Sequence, residues 1–331
     1  MPIIDAETKT QRLEALLRLA CQRPGGFTTR AVAAELGVQE RTARRYIVEL
    51  AGTGRLPVET VKGVWRLIEG GQMALAPLHL NLNEALAVYL AVRLLSGYSD
   101  KSNPHAVEAL RKLSSATPPA IGEHIRRTAG GAAGRRKDEA YVARLETLAQ
   151  AWAERRRVRF RYVGAGKNET TERQVDPYFI EPSAIGFSCY LIGYDHTRAA
   201  IRIFKVERMG PVYLMDHRFE PDSGFDPYRY LENAWGIMGG DEVIDVRLRF
   251  SEAVRERVYE SDWPGMLTRD DLPGGGCLLT LRVAHYREML PWIRGWGPDC
   301  EVLEPEELRG RIAGDMRKAA AVYGKAEGQN R

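Results

Sequence analysis

Residues 187–209 read FSCYLIGYDHTRAAIRIFKVERM, from Phe187 to Met209. Two stretches of strand-like character flank the polar run Asp195-His196-Thr197-Arg198, which marks a turn between paired strands. Side chains two apart share a strand face, so Arg202, Phe204 and Val206 fall together, with Arg208 next in the series. Arginine is rarely buried without a partner, so this face is expected to look toward water or toward an anion. The first strand adds Tyr190 and Tyr194 and the turn adds His196, a set that strand pairing would bring close. Guanidinium forks hold phosphate and flat rings stack on bases, so such a group suits a nucleotide-like anion.

Working outward, Val158 to Tyr162 alternates cleanly, and Gly164 to Asn168 supplies a turn. Thr170 to Ile180 is a further strand that carries Arg173 and is bent by Asp176-Pro177-Tyr178; proline there implies an edge strand or a bulge. Glu207 to Met215 ends the sheet. A helix over Asp138 to Arg155 precedes it, with Leu145, Leu148 and Trp152 as its apolar set. The run Arg155-Arg156-Arg157 reads as the solvated end of that helix, where cations suit the macrodipole, or as a polyanion contact.

These residues carry a family resemblance. Cys189-Tyr190-Leu191, Gly193-Tyr194-Asp195, His196, the R-x-F-x-x-x-R spacing of Arg202, Phe204 and Arg208, and the R-x-V-D-P-Y of Arg173 to Tyr178 resemble the signature of WYL-domain regulators. The resemblance implies a small Sm-like β-barrel that senses a nucleic-acid fragment or another small effector. It also implies effector binding by Arg173, Tyr190, His196, Arg202, Phe204 and Arg208. Cys189 stands where the family's name records tryptophan, so the identity of the effector does not carry over.

Beyond this domain, Phe219 to Trp235 reads as a short connector. Glu242 to Phe250 alternates as a strand, followed by a helix over Ser251 to Tyr259 and strands near Met266-Leu267 and over Cys277 to Val283. A helix over Arg287 to Trp296, a strand over Cys300 to Leu303 and a terminal helix complete a ferredoxin-like order. This part resembles the C-terminal (WCX-type) extension that follows many WYL domains.

At the other end, Thr10 to Cys21 is an amphipathic helix stopped by Pro24-Gly25-Gly26. Thr28-Thr29 can cap a second helix, Arg30 to Leu36, and QERTARRYIVEL (Gln39 to Leu50) forms a third. Ala43, Ile47 and Leu50 make its buried stripe, leaving Arg41, Thr42, Arg44 and Arg45 on the open side. Leu56 to Ile68 reads as two strands around Lys62-Gly63. Helix, turn, arginine-rich helix and hairpin in that order make a winged helix-turn-helix. The block resembles the DNA-binding module of many WYL and sugar-operon repressors, with Gln39 for the usual serine and Tyr46 for the usual aspartate. Expected DNA contacts are Gln39, Arg41, Thr42, Arg44, Arg45 and Lys62, divided between phosphates and base edges. Gly70-Gly71 closes the module.

The segment between holds a helix over Asn81 to Leu95, a turn over Ser99 to Pro104 and a helix over Asn103 to Leu113. Pro118-Pro119 breaks the chain, and Gly130 to Gly134 reads as a flexible loop. It is a helical connector able to carry part of a dimer interface. The expected architecture is α+β multidomain: winged helix-turn-helix over 1–70, connector over 71–137, WYL domain over 138–220 and ferredoxin-like domain over 221–331.

Charge is unevenly spread. Lys and Arg outnumber Asp and Glu by 32 to 22 over residues 1–210, whereas residues 211–331 hold 16 against 22. Polyanions should therefore meet the front of the chain. The four cysteines lie far apart with no C-x-x-C pair, and the six histidines form no H-x-x-x-H. With no G-x-S-x-G or P-loop either, neither an enzyme nor a metal or other cofactor is expected. The N-terminus lacks a signal peptide's order, and a cytoplasmic location is expected. Two function classes follow. One is a homodimeric transcriptional regulator that reads operator DNA and responds to an effector. The other is an accessory protein whose WYL domain grips single-stranded DNA or RNA.

Overall fold

The structure, a computed structural model, describes residues 8–23, 25–68, 75–97, 101–164, 169–183, 188–222, 224–240 and 242–324. The N-terminal segment before Thr8, the expected close at Gly70-Gly71, Ser99, Phe187 and most of the Gly164–Asn168 turn lie outside the described residues. Two compact units divide the chain, Met1–Val92 with Ala109–Thr128 and Arg93–Glu108 with Ala129–Arg331.

In the first unit, α1 (Lys9–Gln22) opens with a capping box. The Thr8 hydroxyl accepts the Gln11 N–H, and the Gln11 side chain accepts the Thr8 N–H at 2.7 Å. A two-residue strand, β1 (Phe27–Thr28), leads into α2 (Thr29–Glu35), whose first turn is capped by the Thr28 hydroxyl. The next helix, α3 (Glu40–Gly52), begins after Gln39, which makes no side-chain cap bond, as expected where serine is missing. Strands β2 (Val58–Val61) and β3 (Val64–Leu67) turn at Lys62-Gly63, both with positive φ, the primed geometry that suits strand twist. The sheet runs β1-β3-β2, and the Trp65 indole N–H donates to the Thr29 hydroxyl at 2.9 Å. Two residues are too few to show periodicity, so β1 was not foreseen. Leu16, Leu17, Phe27, Val32, Ala43, Tyr46, Ile47, Leu50 and Leu56 form the core. Tyr46 belongs to it, so its ring is a core residue of this unit.

Three helices follow: α4 (Leu82–Gly97), α5 (Pro104–Ala116) and α6 (Pro119–Ala133). Gly130 and Gly131 are helical, contrary to the expected loop. Pro119 starts the helix at a position where its missing N–H costs nothing, and the buried Ala129 and Ala132 hold the last turns.

In the second unit, α7 (Glu139–Glu154) packs on a five-stranded antiparallel sheet of β4 (Arg156–Val163), β5 (Thr170–Ser183), β6 (Ser188–Asp195), β7 (Ala200–Lys205) and β8 (Tyr213–Arg218). Leu148 and Ala151 bury the helix, while Trp152, expected in its apolar set, is exposed. The order is β7-β6-β5-β4-β8. Pro177 lies beyond the last pair of β5 with β4, Val175 with Val158, so it is paired only with β6, and a bulge follows between Pro177 and Phe179. Curling of the sheet returns the chain after β7 to β4, where the Gly210 N–H donates to the Arg161 carbonyl at 2.8 Å. Val158, Phe160, Val175, Leu191, Phe204, Val206 and Met209 fill its inside.

Residues 219–238 do more than connect. Tyr178 packs against Phe219 and Phe225, and Phe225 against Tyr230 at the end of the short helix α8 (Pro227–Leu231). Trp235 then enters the C-terminal core against Trp292, ring centroids 4.7 Å apart. That core covers a sheet of β9 (Ile244–Phe250), β10 (Met266–Asp271), β11 (Cys277–Val283) and β12 (Cys300–Glu304), in the order β10-β11-β9-β12 and antiparallel throughout. Helices α9 (Arg255–Tyr259), α10 (Leu290–Gly295) and α11 (Glu306–Gly324) complete it.

The junction is held by one carboxylate. Glu288 accepts the backbone N–H groups of Gly236, Ile237 and Met238 at 3.0 to 3.2 Å. Three converging donors left without an acceptor would each lose a charge-assisted bond. Glu288→Ala is expected to cost about 2 kcal/mol in urea unfolding and to raise amide exchange at 236–238, with Glu288→Gln in between. Unchanged exchange at those amides would show that water replaces the carboxylate.

Candidate functional site

On α3, the buried stripe of Ala43, Ile47 and Leu50 orients the remaining face outward. Gln39, Arg41, Arg44 and Arg45 are exposed and Thr42 is half-buried. Among the described residues, Arg41, Arg44 and Arg45 make no ion pair, so their charge is available to a polyanion; Arg45 does lie 5.5 Å from the Tyr46 ring centroid. Lys62 is exposed at the β2–β3 turn with φ of 50°. Arg66, exposed on β3, was not singled out from sequence.

In the five-stranded sheet, the hairpin expected at 187–209 is present, but its faces differ from expectation. Phe204 is 3% exposed and Val206 is fully buried, so their face is the inside of the curled sheet. Phe204 meets Phe160 and Tyr162 edge-on, with centroids 5.3 and 5.1 Å apart. The strand ends at Lys205, and residues 206–208 form a 3-10 turn, which takes Arg208 out of the alternation. Register separates the rest. Arg202 pairs with Gly193 and Phe204 with Leu191, whereas Tyr190 pairs with Lys205 and Tyr194 with Ile201. Directly paired residues share a face, so Tyr190 and Tyr194 project opposite to Arg202 and Phe204.

A cleft of about 280 Å³ opens on the inner side, lined by Tyr162, Glu169, Thr171, Arg173, Asp195, Arg198, Arg202 and Phe204. Of the expected effector residues it gathers Arg173, Arg202 and Phe204; Tyr190, His196 and Arg208 are not in its wall. Arg173 is already committed, its Nη1 lying 3.0 Å from the Asp195 carboxylate, which is 1% exposed. The Thr197 N–H donates to the same carboxylate at 2.9 Å and fixes the turn. Arg198 and Arg202 are exposed and make no ion pair among the described residues. Among the described residues of its wall, Glu169 is the one uncommitted acid set against them, leaving that wall net positive. Arg198 is the residue sequence reading missed, because a turn position belongs to neither strand face.

A second polar knot takes up the remaining groups. The His196 Nε2 lies 2.7 Å from the buried Asp176 carboxylate, which Arg157 also grips, Nε to Oδ1 at 2.7 Å and Nη2 to Oδ2 at 3.2 Å. Arg156 pairs with Glu154 and Asp216, and Arg155 with Glu220. Arg156 and Arg157 are thus tied into their own domain, while Arg155, the C-cap of α7, stays largely exposed as the solvated end of that helix. Cys189 sits half-buried beside Tyr141 of α7, and burial pushes both its thiol and the Tyr141 phenol up. A thiol so placed stays protonated at neutral pH and is no nucleophile. Among the described residues no cluster of three His, Cys, Asp or Glu could hold a metal, and no helix is long and apolar enough to cross a membrane.

Residues 143–214 match the WYL domain family and residues 242–320 the WCX domain family. The chain therefore carries a WYL domain followed by a WCX domain. Among solved structures it is similar to proteasome accessory factor B/C (PafBC) of Arthrobacter aurescens, with 19% identity and a TM-score of 0.34 over 98% of this chain and 50% of that one. It is also similar to a protein described as CRISPR Cas-related, with 10% identity and a TM-score of 0.42 over 98% and 88% of the two chains. The chain thus spans half the length of PafBC.

Proposed function

We propose that this protein is a DNA-binding transcriptional regulator whose WYL domain senses an anionic effector. Its first unit acts as a winged helix-turn-helix, α3 entering the major groove of operator DNA and Lys62 meeting phosphate from the wing. The observation that carries this reading is α3 itself, with three exposed arginines that make no ion pair among the described residues, on a helix seated by Ala43, Tyr46, Ile47 and Leu50. It works in the cytoplasm as a homodimer, because paired half-sites need two heads, and it performs no bond chemistry of its own. The curled sheet serves as the Sm-like sensing barrel, its cleft offering Arg198 and Arg202 to an anion such as a short single-stranded oligonucleotide. Effector binding shifts operator affinity only by its differential affinity for the two states.

The test uses a labelled operator duplex, with and without a short single-stranded oligonucleotide. Arg202→Ala is expected to weaken oligonucleotide binding roughly tenfold or more and to abolish its effect on the duplex, with basal duplex binding unchanged. Arg208→Ala, outside the cleft, should leave the response in place. Equal losses from both would move the effector site away from the cleft. The second reading, an accessory protein gripping single strands, draws on the same cations. Heterogeneous single strands recovered with the purified chain, and no duplex with a repeated motif, would favour it.

A further inference from the structure

We propose that residues 75–92 form a self-association surface that seats the same segment of a second copy of this chain. The segment LAPLHLNLNEALAVYLAV contains one charged residue, Glu84. That carboxylate accepts the Asn81 N–H at 2.8 Å while the Asn81 side chain accepts the Glu84 N–H, a reciprocal cap that turns the acid back onto its own helix end. One face of α4 is anchored: Ala85 and Tyr89 are buried, and the Tyr89 hydroxyl lies 3.0 Å from the Thr128 hydroxyl of α6. Beside that face, Leu82, Leu86 and Leu90 follow at four-residue intervals and are all exposed. Before the helix, Leu75 and Leu78 are 71% and 78% exposed. The backbone at Ala76 is a hydrogen-bond partner of Cys21, and Ala76 packs on the N-terminal core, so this stretch is held in place rather than trailing.

Isolated exposed leucines need no explanation, but a continuous apolar run of this size does. Together with Leu80 these residues present roughly 600 Å² of surface, so two copies meeting face to face would bury at most about 1,200 Å², the lower end of a standard interface. Nucleic acid is a poor occupant, since the segment carries no cation. A charged protein partner would likewise find no complement. A second copy needs none: in a two-fold contact the same uncharged leucine rows meet each other, and four-residue ridges interdigitate at about −50°. This deepens the operator-binding reading, which calls for two heads, yet it stands on the surface alone.

The test is sedimentation velocity of the full chain without DNA, from ~1 to ~100 μM, so its outcome is independent of duplex binding. A dimer is expected, and Leu86→Glu with Leu90→Glu should weaken it roughly 100-fold or more, with the circular dichroism spectrum unchanged. A monomeric wild type, or a dimer untouched by the two glutamates, overturns the proposal. The first result would mean that another part of the same chain covers the face. Should the double variant misfold, Leu86→Cys replaces it. A disulfide-linked dimer on mild oxidation, absent from the wild type, supports the surface, and its absence overturns it.

Discussion

Replacing Asp195 with alanine is expected to destabilise the WYL domain by about 3–5 kcal/mol, the cost of leaving a buried cation without its counter-charge. Asp195 is 1% exposed, and the side chain of Arg173 that it holds at 3.0 Å is 12% exposed. Alanine leaves that guanidinium without its carboxylate, mostly withdrawn from water and bonded through Nε to the Thr171 hydroxyl at 3.1 Å. It also removes the acceptor of the Thr197 N–H, loosening the turn that carries Arg198. Asp195→Asn keeps an acceptor for Thr197 and removes only the charge, so it should fall between the two. Urea unfolding followed by far-ultraviolet circular dichroism measures the series. A loss under ~1 kcal/mol would mean that water already solvates Arg173 through the cleft. Because most domains are stable by only ~5–15 kcal/mol, the expected change is large enough to lower the yield of folded protein.

The second large effect concerns α3. Arg44→Ala with Arg45→Ala should reduce duplex affinity roughly 100-fold at low salt and reduce the slope of log K against log salt by about 2, one unit per lost phosphate contact. Both residues are exposed, so the melting temperature should stay where it is. If one of them reads a base edge instead, the slope falls by about 1 and discrimination at one operator position relaxes. A slope equal to that of the wild type would remove α3 from the interface.

Periodicity made much of this molecule legible. Ala43, Ile47 and Leu50 were readable as the buried stripe of α3, and all three are buried, because a helix has one core-facing side. The turn at 195–198 and the strands around it were equally plain, since a polar tetrad between two strand-like stretches has few other readings. The six-residue effector set was less so. Arg202 and Phe204 follow a period of two, but whether that face meets water depends on how the sheet curls, and curling arises from contacts as distant as Gly210 with Arg161. Similarly, arginines 155 to 157 look alike in a line of letters. Of their partners, Glu154 is two residues from Arg156, but Glu220, Asp216 and Asp176 lie 19 to 65 residues along the chain, and no run of adjacent residues shows them.

Local order and charge alone were enough to indicate an arginine-bearing third helix ahead of a hairpin, a strand pair around the turn at 195–198 and a mixed C-terminal unit, because helix and strand periods are properties of neighbouring residues. Which cations remain available was decided in three dimensions. Arg173 and Arg157 found buried carboxylates while Arg198 and Arg202 did not, and ion pairing depends on distances across strands that no stretch of adjacent residues encodes.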